Sequence, residues 1–275
     1  MIPTDDEILK ALNESGYLFE QEIATTLEQH SFHIQTNAAF NDEDEEKSRE
    51  IDVAAYQRVY FNEEKKTTIG IRIICECKNS QTPFVFINRN KSEADAFYWP
   101  PNFLFPQKEF QIPVEGKANI YRNIPAFLNF GLDKVYPFSK SDTKAVQFCK
   151  MVRKGKEWQA LHDGIYDSIL FPLIKCLIHF KNRDAKQVSR DWSNYVLYFP
   201  IVVLNSKIYA VDSHIDAGKI KQVEYISFTR DINSKKIEGK YLIDFVTKEG
   251  LHNYLTYYIQ PFVDAFIGQV ANQTL

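Results

Sequence analysis

Arg49-Glu50-Ile51-Asp52-Val53 and, further along the chain, Ile73-Ile74-Cys75-Glu76-Cys77-Lys78 are the stretches on which the fold turns. Side chains of a strand alternate between its faces. Glu76 and Lys78 therefore project from one face, while Ile73, Cys75 and Cys77 line the other, which is uniformly apolar and suited to burial. Residues 50–61 are rich in Val, Ala and Tyr, residues 67–78 carry Ile69, Ile71, Ile73 and Ile74, and the polar Asn62-Glu63-Glu64-Lys65-Lys66 between them reads as a hairpin turn. If the two segments pair as a hairpin, Asp52 can stand beside Glu76. Two adjacent carboxylates repel and need compensation. A divalent cation with a taste for hard oxygen ligands supplies it, and Mg²⁺ is usually held through one or two carboxylates plus a substrate phosphate.

Upstream, Ile8, Leu12, Phe19, Ile23 and Leu27 recur at helical spacing, which predicts a helix over residues 5–31 with a break at Ser15-Gly16. Within it Glu20 shares a face with Ala24 and Leu27 and is drawn inward, whereas Glu22 faces solvent. Residues 32–40 form a first strand, ending at the acidic run Asn41–Glu46. Residues 81–140 hold most of the prolines and 13 aromatics, a composition that bars long helices and central strands and predicts an insertion of loops and short elements packed on the body. From Ser141 to Lys181, Val146, Cys149, Val152, Trp158, Leu161, Ile165 and Ile169 suggest a helix. Strands over 195–204, 207–211, 222–230 and 240–247 and an amphipathic helix over 251–270 complete the chain. The order predicts a single elaborated α/β domain with a mixed sheet, its core in residues 1–80 and 141–230, its insertion in 81–140 and an extra strand and helix in 240–270.

The 275 residues are 44% hydrophobic and 25% charged, which excludes a disordered tail or a fibrous repeat. No stretch reaches the roughly 20 apolar residues that span a bilayer. An acidic N-terminus without a basic n-region, and four cysteines without framework spacing, point to a cytoplasmic protein. The net charge of −3 conceals an asymmetry: residues 1–50 carry 13 acids and 3 bases, so the remaining chain is net basic and permits a polyanionic partner.

Glu20 on a helix, Ile51-Asp52 on a second strand and Glu76-x-Lys78 on a third resemble the signature of the PD-(D/E)XK nuclease superfamily. Gly16-Tyr17-Leu18-Phe19-Glu20 together with Glu76-Cys77-Lys78 is most similar to its Mrr-like branch. The likeness is sharp over residues 16–80 and topological beyond, and Ile51 stands where the motif's proline would be. It implies a restriction-endonuclease-like α-β-β-β-α-β core and a Mg²⁺-dependent endonuclease acting on DNA, with Mn²⁺ able to substitute and a role in defence against foreign DNA. It further implies that Asp52, Glu76 and the backbone carbonyl of Cys77 hold one or two metal ions, that Glu20 binds a second ion or a metal-bound water, and that Lys78 orients or activates the attacking water. The branch often carries a glutamine on the second core helix, for which Gln147 is the nearest match. Double-strand cutting would favour a homodimer or a partner subunit.

Among the basic residues, Lys144, Lys150, Arg153 and Lys154, with a second group at Lys175, Lys181, Arg183, Lys186 and Arg190, suit either a solvated helix face or a phosphate track. Cys75 and Cys77 read as buried thiols, since no second pair completes a zinc site. Asp212-Ser213-His214-Ile215-Asp216 reads as a turn, and His162-Asp163 as a surface pair. Phe97-Tyr98-Trp99 suits loop packing better than base stacking, and the acidic run belongs away from any phosphate. Two rivals remain open: a nuclease fold that has lost its chemistry and serves as a nucleic-acid-binding or scaffold module, and cleavage of RNA.

Overall fold

Thr4 opens the chain's first helix, α1 (Asp5–Ser15), with a capping box: its hydroxyl accepts from the Glu7 amide, and its own amide donates to the Glu7 carboxylate. Gly16, left-handed at φ 92°, ends α1 and lets the chain restart at once as α2 (Tyr17–Gln29), which buries Phe19, Ile23, Ala24 and Leu27. The computed structural model describes residues 2–97, 102–117, 119–162, 164–187, 191–213, 219–234 and 236–272. The Phe97-Tyr98-Trp99 run, the His162-Asp163 pair, Arg190 and the stretch from His214 to Asp216 lie wholly or partly outside the described residues.

Three strands follow, β1 (His33–Asp42), β2 (Lys47–Asn62) and β3 (Thr67–Lys78), each antiparallel to the one before. Then come β4 (Phe84–Asn90), β5 (Phe103–Leu104), β6 (Glu109–Pro113), β7 (Tyr121–Pro125), the short helices α3 (Ala126–Asn129) and α4 (Pro137–Lys140), β8 (Thr143–Lys154) and β9 (Glu157–Leu161). A wide turn over Tyr166–Leu170 leads into α5 (Phe171–Lys186). Beyond it lie β10 (Ser193–Leu204), β11 (Ile208–Asp212), β12 (Ile220–Val223), β13 (Tyr225–Asn233), β14 (Glu238–Thr247) and a C-terminal helical stretch from α6 (Leu251–Asn253) through Tyr254–Ile259 into α7 (Gln260–Asn272).

One mixed sheet runs β1-β2-β3-β10-β14-β13-β8-β4-β11-β12, with β10 parallel to both β3 and β14. Helices cover both faces. α2, the C-terminal helices and aromatics of 103–138 pack on one side; α5 and the Tyr166–Leu170 turn pack on the other. β10, buried over Tyr195–Leu204, shows the continuous apolar run of a strand covered on both faces.

Two expectations fail here. Residues 143–161 form the β8–β9 hairpin rather than the start of a helix, so Gln147 sits on a strand. β8 pairs Ala145 with Asn88 and Gln147 with Ile87, leaving Val146 as the extra residue of a bulge. Val146, Cys149 and Val152, spaced as on a helix, are only half-buried on β8, where the bulge turns Ala145 and Phe148 into the core instead, and Gly155 at φ 63° supplies the turn to β9. In the proline-rich region, β4 is an interior strand of the sheet. Pro83 precedes it and its seven residues contain none, so the prolines shape the segment between β4 and β8 rather than β4 itself.

Gly70 marks a close approach within the sheet. A Cβ there would meet the Tyr56 ring at 2.7 Å. Gly70→Ala is therefore expected to displace Tyr56 and destabilise the protein by about 1–3 kcal/mol, the usual cost of overpacking, read as a lower urea midpoint with an unchanged slope.

Candidate active site

Register assembles the site. Val53 pairs with Cys75, which carries Asp52 and Glu76 to neighbouring places as the β2–β3 ladder ends. Val53 and Ala55 pack on the α2 side and Ile51 and Ala54 on the α5 side, so the alternation along β2 breaks at Asp52. Its neighbour across β1, Asn37, has φ 49°. At this irregularity the Asp52 carboxylate turns onto β3 and its Oδ2 accepts from the Cys77 amide at 2.6 Å. Glu76, only 8% exposed, receives the Lys78 ammonium on Oε1 at 2.6 Å. Asp52 Oδ1 and Glu76 Oε2 carry no hydrogen bond among the described residues.

The α1–α2 corner completes the site. Asn79, just past β3, donates to the Asn13 carbonyl and accepts from the Asn205 side chain. This fixes Gly16 against the end of β3, and Glu20 rises one turn later with Oε1 4.0 Å from the position of a Gly16 Cβ. The clamp of Asn13, Asn79 and Asn205 escaped the sequence reading, because scattered asparagines carry no pattern.

All three carboxyls titrate high. Burial pushes Glu76 up to about 7; Lys78 works against that, while Asp52 and Glu20 reinforce it. Burial also raises Asp52, with the Cys77 amide and Lys78 opposing. Glu20 is raised by burial and by Asp52, again against Lys78. Three acids thus share one ammonium and hold excess negative charge. Comparison of the chain with family models, curated proteins and solved structures returns no match.

The donor set fits a hard divalent cation: carboxylate oxygens, two of them without a hydrogen bond, in a place where added positive charge would relieve the repulsion. Among the described residues, no group of three or more His, Cys, Asp or Glu side chains is placed so that it could hold a metal ion. Cys75 and Cys77 are buried, with sulfurs 3.7 Å apart on the apolar face.

The basic residues lie elsewhere. Lys144, Lys150, Arg153 and Lys154 are on β8, four strands and about 19 Å from β3 at the usual strand spacing. Lys144 is engaged by both oxygens of Asp95, and Arg153 donates to the Gly155 carbonyl. Lys175 is buried against Asp42 at 2.8 Å, which removes it from any phosphate track. The acidic run forms the β1–β2 turn, and its first acid, Asp42, is fully buried. Burial alone would raise Asp42, but hydrogen bonds from Lys175 and Arg49 outweigh it and hold the carboxyl down to about 2. Among the described residues, no helix is long and apolar enough to cross a membrane.

Proposed function

We propose that this protein is a metal-dependent nuclease of restriction-endonuclease-like fold that hydrolyses phosphodiester bonds in DNA. The observation that carries the reading is that Asp52, Glu76 and Lys78 stand together at the end of β3, with Glu20 of α2 near enough for their charges to act on one another. The succession α2-β1-β2-β3-α5-β10, with β10 parallel to β3, supports it as the helix, three strands, helix and strand of the core that the motif implies.

In this reading Asp52 and Glu76, with the Cys77 carbonyl, hold Mg²⁺ or Mn²⁺, and Glu20 serves a second ion. Such a cation supplies Lewis acidity toward a phosphoryl oxygen and makes water a usable nucleophile near neutral pH. Lys78, partly exposed, keeps one donor on Glu76 and has others to orient the attacking water and to meet negative charge as it develops. Asp52, anchored on the Cys77 amide, fixes the position of its second oxygen. A cytoplasmic role in defence rests on family analogy alone, and double-strand cutting would call for a dimer or a partner subunit.

A second reading, a nucleic-acid-binding module without chemistry, is favoured by the clasp of Lys78 on Glu76. Plasmid nicking with Mg²⁺ or Mn²⁺ separates the two. The wild type is expected to cut, with Asp52→Ala and Lys78→Ala slower by at least about 100-fold. Equal cutting by all three would remove these residues from the chemistry. Plasmid binding without cutting would favour the module, and preferential cutting of labelled single-stranded RNA would move the substrate from DNA to RNA.

A further inference from the structure

A second site lies well away from these carboxylates. β13 and β8 run parallel but share one bridge, Phe228 with Ala145; before it the strands part. The gap opens a cavity of about 320 Å³, lined among others by Asn88, Tyr225, Ser227 and Tyr258. That size is at the lower end of small-molecule sites. β13 is three strands from β3, about 14 Å at the usual spacing, so the cavity is separate from the Glu76 cluster.

Its polar groups have defined donor and acceptor roles. Asp244 is buried, and its two oxygens accept from the hydroxyls of Ser227 and Tyr254. Burial pushes its carboxyl up to about 6, against those two hydrogen bonds, so at pH 8 it is ionised and can only accept. The single Ser227 proton is spent on Asp244, and the 2.8 Å contact between Ser227 and Tyr258 must then be a donation from Tyr258. With both protons spent, the two hydroxyls keep only lone pairs for the cavity. Asn88, nine-tenths buried, directs its NH₂ to Asp212 at 3.3 Å, which orients the amide. Its Oδ1 is buried and, among the described residues, has no hydrogen-bond partner. A buried orphan acceptor costs on the order of 1–3 kcal/mol, and a bound donor would relieve it.

Charge points the same way. An anionic carboxylate stands behind the hydroxyls, the tyrosine faces favour cations, and the adjoining depression, which shares Ser141, brings Asp133 and Asp142 to the rim. Ammonium groups stand there too: Lys91 lies over the Phe138 ring and donates to the Phe138 carbonyl, while Lys144 and Lys240 are both engaged by Asp95 of the same depression. We propose that the cavity between β13 and β8 binds a small organic cation, an amidinium or primary ammonium on a flat apolar body, whose N–H groups donate to Asn88 Oδ1 and to the Ser227–Tyr258 hydroxyls.

The test is calorimetric titration of the full-length protein at pH 8 with benzamidinium, neutral benzamide and anionic benzoate. Benzamidinium is expected to bind, benzamide more weakly and benzoate not at all. Asn88→Leu and Ser227→Ala should each weaken benzamidinium at least about tenfold, the worth of one hydrogen bond in a desolvated site. Circular dichroism and melting of the unliganded variants establish that they fold. Tyr257→Ala, at an exposed position outside the cavity, should bind as the wild type does. Failure of all three probes, equal binding of benzoate, or unchanged affinity in folded Asn88→Leu and Ser227→Ala would overturn the proposal.

Discussion

Glu76→Gln is expected to raise the melting temperature at pH 8 while abolishing cleavage. Burial and two neighbouring acids raise the Glu76 carboxyl in the folded protein to about 7, against 4.5 ordinarily. Between those values the folded state binds a proton that the unfolded state has released. Stability from this group therefore falls as pH climbs from about 4.5 to 7 and stays low above it. At 1.36 kcal/mol per unit the penalty at pH 8 reaches about 3 kcal/mol. A neutral amide of the same shape escapes it and still accepts from Lys78. The difference in unfolding free energy between variant and wild type, measured in urea, should be small at pH 4.5 and grow in the variant's favour toward pH 8. Taking the difference cancels the other titrating groups. Mg²⁺ or Mn²⁺ should stabilise the wild type more than the variant, since ligand binding to the native state adds to its stability. An acid kept where it destabilises the fold is what a working site would look like. If Glu76→Gln were neutral or harmful at pH 8, Glu76 would be an ordinary half of a structural ion pair.

What was legible of the candidate site is the part that rests on short-range rules. Period-two alternation in 67–78 and the polar turn at 62–66 place the β2–β3 hairpin, but the register that sets Asp52 beside Glu76 also needs the irregularity at Val59, between Arg58 and Tyr60, which no local pattern announces. Glu20 was legible from helical phase and the Gly16 break. The misread elements depend on partners far away in the chain. The Val146 bulge exists because β4 pairs there, and without knowledge of β4 the spacing of Val146, Cys149 and Val152 looks helical. Asp42 looked like any acid of an exposed run, yet it is buried because Lys175 arrives from α5. Asp244 did leave a trace: it is the lone acid in Leu242-Ile243-Asp244-Phe245-Val246, where only hydroxyls from elsewhere in the fold can satisfy it. Local pattern places strands and helices, but the buried charges are decided by elements that meet only after folding.

Asp184→Ala is expected to cost the most stability of any single change considered. Arg72, on the face of β3 that α5 covers, lies between the Tyr56 and Phe180 rings, with its carbon centre 4.9 and 4.7 Å from their centroids. Its Nε and Nη2 donate to the two Asp184 oxygens at 3.0 and 3.3 Å, and the Tyr198 hydroxyl donates to Oδ2 at 2.7 Å. One carboxylate thus ties α5 to both β3 and β10. Its removal strands a guanidinium that is 8% exposed, together with a buried hydroxyl, and breaking such a pair from one side costs about 3–5 kcal/mol. Arg72→Met should cost less, because Tyr198 and the more exposed Arg183 still donate to Asp184. The triple replacement Arg72→Met, Asp184→Leu and Tyr198→Phe leaves no buried charge or hydroxyl unmatched and should recover most of the loss. Urea midpoints at pH 7 order the four proteins. A cost below about 1 kcal/mol for Asp184→Ala would mean that α5 is held by its apolar face alone. The same series bears on chemistry, since Arg72 precedes Glu76 by four residues on one strand. Where β3 needs only a firmly seated α5, cleavage should return with stability in the triple variant; where the Arg72 charge also acts on the Glu76 cluster, stability should return and cleavage should not.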